Sequence, residues 1–91
     1  GNLYAADRGT IAETGYTSIN GYYQIIDHNN GYKTYYGHMN RPAFFKVGQN
    51  VEKGEIIGQI GMTGRATGPH VHFFIMKNGV RQNPCNGWLP C

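Results

Sequence analysis

Three histidines carry the chemistry this chain can offer: His70 and His72, spaced as His-x-His, and the earlier His38. Neutral imidazole is a common zinc ligand, and it is also the side chain best suited to take or give a proton near neutral pH. Side chains alternate across an extended strand, so His70, His72, Phe74 and Met76 are expected on one face. Val71, Phe73 and Ile75 then form the opposite, core-facing side. Two imidazoles on one face stand about 6–7 Å apart at Cα, close enough to converge on one metal ion or one reacting group. On an earlier run Thr34, Tyr36 and His38 are expected to share a face. If both runs lie in one sheet, three imidazoles gather over a common patch. The alternative for a His-x-His pair is hydrogen-bonded strand filler. Against it stands the preceding segment, where Gly64, Gly68 and Pro69 bring the chain into His70 by a rigid, irregular approach of the kind that presents side chains in a cleft. His28, beside turn residues, reads as a surface or hydrogen-bonded histidine rather than a ligand.

Other chemistries fit poorly. The glycine-rich stretch 61–68 lacks a Gly-Lys-Ser/Thr ending and leads into a strand signal, so it is not a phosphate cradle. Ser18, the only serine, lies in a turn-rich segment, and neither Cys85 nor Cys91 has an evident base beside it, so no serine or cysteine nucleophile is indicated. The two cysteines flank Asn-Gly-Trp-Leu-Pro and lack further ligands for a metal site. They can close a short disulfide loop around Trp88 in an oxidising compartment or remain thiols. The net charge of +3 comes from basic residues scattered singly. That excludes the concentrated basic stripe of a nucleic-acid-binding face and leaves a solvated surface compatible with polyanionic neighbours.

The elements that must position the histidines follow from composition. Ninety-one residues make one small domain, and fourteen glycines and seven tyrosines suit strands joined by tight turns rather than helices. Strand signals fall at 3–6, 10–13, 22–28, 32–39, 55–60 and 70–77. Asn30-Gly31 reads as a hairpin turn with positive φ at both residues, and Asn78-Gly79 marks another turn. Pro42 to Asn50 reads as a longer connection, and Pro84 ends regular structure. No stretch approaches the ~20 apolar residues of a membrane span, and no charged start runs into an apolar segment.

With these residues in view, the string Gly61-Met-Thr-Gly-Arg-Ala-Thr-Gly-Pro-His70-Val-His72-Phe resembles the signature of the lysostaphin-like (LytM-type) zinc endopeptidases. Asp27-His28-Asn-Asn-Gly-Tyr-Lys-Thr-Tyr-Tyr-Gly-His38-Met resembles the family's second motif. Leu3-Tyr-Ala-Ala-Asp-Arg-Gly-Thr-Ile and Val47-Gly-Gln-Asn-Val-Glu-Lys-Gly-Glu-Ile-Ile-Gly resemble its preceding strand pair and its connecting segment. The resemblance implies an all-β, antiparallel β-sheet domain of the lysostaphin/LytM endopeptidase type over residues 1–84, lacking its amino-terminal part, followed by a Cys-containing tail at 85–91.

It further implies a peptidoglycan endopeptidase in which Zn2+, held in part by His72, activates a water that attacks peptide bonds of cell-wall stems or cross-bridges. His38 and His70 fall on the positions of the two catalytic histidines that are not ligands. The remaining ligands, from the family's His-x-x-x-Asp motif, are expected upstream of Gly1. Phe74 departs from the acidic or amide residue usual at its position, removing a partner that would help orient a ligand. The implied partner is bacterial peptidoglycan, with no nucleic acid and no membrane span. The implied setting is extracellular, in the cell envelope or on a phage virion, in a larger protein or assembly. The alternative is a catalytically inactive LytM-like module for wall binding or protein assembly.

Overall fold

A computed structural model of the chain describes residues 1–61 and 72–82, with the backbone alone at 72–74. The runs rich in Tyr, Ile and Thr become β2 (Gly9–Thr17), β3 (Gly21–Asp27) and β4 (Tyr32–Met39), and the Phe- and Ile-containing run becomes β7 (His72–Lys77). With the edge strands β5 (Asn50–Val51) and β8 (Val80–Gln82) they build a sheet of order β5-β2-β3-β4-β7-β8, antiparallel at every pairing. β1 (Asn2–Tyr4) and β6 (Ile56–Gln59) pair separately, also antiparallel. No helix occurs among the described residues, as the composition requires.

The strand expected at 10–13 extends to Thr17, and the one expected at 3–6 is Asn2–Tyr4. Neither β5 nor β8 is anticipated by the sequence, because strands of two or three residues are too short to show alternation. The stretch 83–91, with Pro84, Cys85, Trp88 and Cys91, lies outside the described residues, as does 62–71 with His70.

One face of the larger sheet is covered by the smaller pair. Leu3, Ala5 and Ile57 meet Ile11, Ile26, Tyr36, Met39 and Val51 in a single buried cluster. A fully buried Gln24 crosses this interface, its Nε2 donating to the Ile57 carbonyl at 3.1 Å and approaching the Met39 sulfur at 3.2 Å. These partners replace water at the Nε2 end of the amide, whereas the buried Oε1 has no hydrogen-bond partner among the described residues.

The two turns at one end of the sheet behave differently. Asn78 (φ 49) and Gly79 (φ 83) are both left-handed, and Lys77 pairs with Val80 around them, as the sequence indicates. In the other turn the positive φ values fall on Asn29 (61) and Gly31 (90), not on Asn30 and Gly31 as expected. Local side-chain bonds explain the difference: the Asn29 amide donates to Asp27 Oδ1 at 2.9 Å and the Tyr32 amide to Asn30 Oδ1 at 3.2 Å. The turns interlock, the Asn78 amide donating to the Gly31 carbonyl at 2.7 Å. A Cβ at position 31 would lie 2.7 Å from Asn78 Oδ1, at a φ that side chains disfavour. Gly31→Ala is therefore expected to cost about 1–3 kcal/mol of stability in urea unfolding. An unchanged midpoint would show that the two turns do not constrain one another.

Candidate active site

β4 and β7 run side by side with Thr34 opposite Ile75, Tyr36 opposite Phe73 and Gly37 opposite His72. The first residue of β7 is thus paired with the residue that immediately precedes His38. Antiparallel partners stand about 5 Å apart at Cα, so the backbones at 38 and 72 are close neighbours at one end of the sheet.

His38 does not follow the expected alternation. Tyr36 and Met39, three positions apart, both belong to the buried cluster, whereas a regular pleat would place them on opposite faces. The β3–β4 register shows why: Gln24 pairs with Tyr36 and Tyr22 with Met39, leaving Tyr23 to face both Gly37 and His38. This is a β-bulge, with His38 at its left-handed position (φ 56) and its amide donating to the Asn20 carbonyl at 2.7 Å. Gly37 and His38 together take the place of one outward residue. Position 38 leaves the Thr34–Tyr36 row, and the expectation that all three share a face is corrected. The imidazole is largely buried, with 9% of its surface exposed. His70 lies outside the described residues, and of Phe74 the structure gives only its pairing with Tyr35.

His28 is a structural residue, as expected. Its Nδ1 lies 2.7 Å from the Arg8 carbonyl and its Nε2 2.8 Å from Thr34 Oγ1, which in turn is 2.8 Å from the Tyr36 hydroxyl. The Ala6 amide donates to that hydroxyl at 3.0 Å. Because a carbonyl only accepts, Nδ1 must donate, and in the neutral ring Nε2 must accept. Thr34 then donates to His28, and Tyr36 donates to Thr34. One directed chain joins the segment after β1 to β3 and β4.

Beside this end of the sheet are tyrosines that the motif reading passed over. Tyr23 and Tyr35 stack with ring centroids 5.7 Å apart, and the Tyr23 hydroxyl donates to Glu13 Oε2 at 2.6 Å. That bond to a carboxylate raises the Tyr23 phenol above its ordinary value, while burial raises Tyr35. The two rings are diagonal neighbours across β3–β4, Tyr35 being paired with Ile25 and Tyr23 facing Gly37 and His38, and that neighbourhood is invisible without the register.

Among the described residues no three His, Cys, Asp or Glu side chains gather as metal ligands. The described residues therefore do not by themselves complete a zinc site.

Burial also pushes the Tyr36 phenol up, against the opposing pull of its hydrogen bonds with Thr34 and Ala6. The unfolded phenol ionises near ~10, so between that value and the higher folded one the unfolded state loses protons that the fold retains. Stability from this residue is present below pH ~10 and falls as pH rises beyond it. Tyr36→Phe is expected to lower stability by about 1–3 kcal/mol at pH 7, by removing the donor to the buried Thr34 hydroxyl. It should also make the decline above pH ~10 shallower in urea unfolding. An equally steep decline would show that Tyr36 does not contribute to it.

With this geometry established, comparisons with known proteins are informative. A model described as peptidase family M23 matches residues 1–84. Peptidoglycan DD-endopeptidase ShyC of Vibrio cholerae is 41% identical over 88 residues, which are 97% of this chain and 20% of that protein. A crystal structure of a zinc-containing peptidase from Vibrio cholerae superposes with a TM-score of 0.88 at 32% identity, covering 98% of this chain and 28% of that one. The catalytic domain of lysostaphin from Staphylococcus simulans gives 0.83 at 34% identity, covering 91% and 66%. The chain thus spans about a fifth of the length of the first of these relatives.

Proposed function

The chain belongs to peptidase family M23, and from that premise we propose that it supplies the cutting face of a peptidoglycan endopeptidase that hydrolyses peptide bonds in wall stems or cross-bridges. The observation that carries this reading is the pairing of Gly37 with His72 beside the bulge at His38, which brings two of the expected histidine positions to one end of one sheet. His72 is the zinc ligand the proposal assigns to this chain, and the rest of the ligand set is not found among the described residues. Zinc, when bound, would lower the pKa of a coordinated water toward 7 and polarise the scissile carbonyl. His38 is assigned to proton transfer or to charge stabilisation on the reacting carbonyl, and its anchored backbone limits the reorientation this needs. His70 is assigned the complementary role. A wall substrate places the work outside the cytoplasm, in the cell envelope or on a virion.

The test is loss of turbidity of purified peptidoglycan sacculi, together with bound zinc, for the protein carrying this domain. His38→Ala is expected to slow lysis by about 100-fold or more, with zinc retained. His72→Ala is expected to abolish both lysis and zinc. Equal lysis by wild type and His72→Ala would sink the metal mechanism. No lysis by the wild type loaded with zinc would favour the inactive wall-binding or assembly module instead. For the 91 residues alone, the absence of a ligand cluster among the described residues predicts no tight one-to-one zinc binding at pH 7, and such binding in a titration would refute this.

A further inference from the structure

A cavity of about 380 Å³ opens at the other end of the β4–β7 pair. Its lining includes Ile25, Lys33, Tyr35 and Met76, with Asn78 and Gly79 at the rim. Register ties it to the candidate site. Lys33 pairs with Met76, Tyr35 with Phe74 and Gly37 with His72, so positions 33, 35 and 37 step along the side opposite the buried Thr34 and Tyr36. Four strand residues span about 13 Å, which sets the distance from the cavity to the histidine end.

The chemistry of this cavity is specific. Ile25 and Tyr35 are partners across β3–β4 and, with Met76, give an apolar floor. Lys33 is the one charged residue in the described lining. Asp27 faces Lys33 from the β3 side, where its Oδ1 accepts the Asn29 amide, whereas Arg81 pairs with Met76 on the far side. The row Lys33–Met76–Arg81 therefore places two cations on either side of an apolar seat. The rim is held in shape by the interlocked turns, through the Asn78 amide bond to Gly31.

We propose that this cavity is a specificity subsite for the carboxylate-bearing end of the peptide being cut. In it Lys33 pairs with the carboxylate, and Ile25, Tyr35 and Met76 seat a small apolar side chain next to it. The inference rests on the proposed function and extends it to the substrate. An extended peptide whose scissile bond lies at the His38–His72 end reaches Lys33 about four residues away, the length of a short stem rather than of a long polypeptide.

The experiment is an NMR titration of the full chain with two probes: a tetrapeptide stem ending in a free carboxylate, and the same peptide as its C-terminal amide. The acid is expected to bind roughly 5-fold more tightly than the amide, the size of a partly exposed ion pair, with shifts at Ile25, Lys33, Tyr35 and Met76. Lys33→Met should erase that preference and Lys33→Arg should restore it. Failure of either peptide to bind, a preference that survives in Lys33→Met, or shifts confined to other residues would overturn the subsite. Hydrolysis is not read in this titration, so the two readings fail separately. A protein that binds the acid through Lys33 without lysing walls loses only the proposed activity. One that lyses walls yet ignores Lys33 loses only the subsite.

Discussion

Tyr36 and Met39 must both be buried, and the two residues between them cannot fit a regular pleat. This constraint organises the candidate site. One extra residue enters β4 opposite Tyr23, the chain turns left-handed at His38, and the strand bends where it meets β7. A left-handed φ on a residue with a side chain costs about 1–3 kcal/mol. It persists because the core holds the strand on both sides of it, Tyr36 and Met39 being almost wholly excluded from solvent. The result is an imidazole displaced from the core row and fixed through its backbone to Asn20. A regular strand with the same residues would turn His38 into the core and Met39 out of it.

The two anchors are themselves tied down by polar groups inside the fold. Gln24 spans from β3 to the Ile57 carbonyl on β6 and to the Met39 sulfur. Tyr36 is the second member of the chain that runs from the Ala6 amide through Tyr36, Thr34 and His28 to the Arg8 carbonyl. Each bond contributes only about 0.5–1.5 kcal/mol net, but breaking one of those at Gln24 or between Thr34 and Tyr36 strands a buried partner at greater cost. The chain therefore gives direction as well as stability, because a carbonyl at one end and an amide at the other leave a single arrangement of protons with neutral His28. The segment after β1 is bound to the sheet by the same groups that hold β4 in place, so a shift of that segment would be felt at the bulge.

How much of this was legible in the sequence depended on the range over which each signal acts. Runs of Tyr, Ile and Thr marked β3 and β4, the His-Val-His-Phe-Phe-Ile run marked β7, and Asn78-Gly79 marked its turn, because those features are fixed within a few residues. The Asn29–Gly31 turn was located but its conformation was not, since the side chains of Asp27 and Asn30 capture backbone amides there. The face of His38 was misassigned for a different reason. A bulge is decided by where a neighbouring strand's residues must lie, and nothing in the string Tyr-Gly-His-Met announces it apart from a glycine. The role of His28 could be named in kind, but its partner Arg8 comes from twenty positions earlier. The family motifs named the candidate residues, and the register shows how positions 37, 38 and 72 meet.

The outward side of the sheet carries a further physical argument. An antiparallel sheet with one covered face usually presents polar residues on the other, yet here Tyr35 is only 8% exposed on the side away from the core. Its stacking partner Tyr23 is held by Glu13, whose carboxylate keeps the phenol protonated and donating. Ordering these rings costs side-chain entropy that the core does not require. A solvated face would have been served as well by threonine or lysine. Aromatic packing at this place instead gives β3 and β4 a stiff surface between the bulge and the Lys33 cavity. A bound chain could be held along that surface without the sheet flexing beneath it.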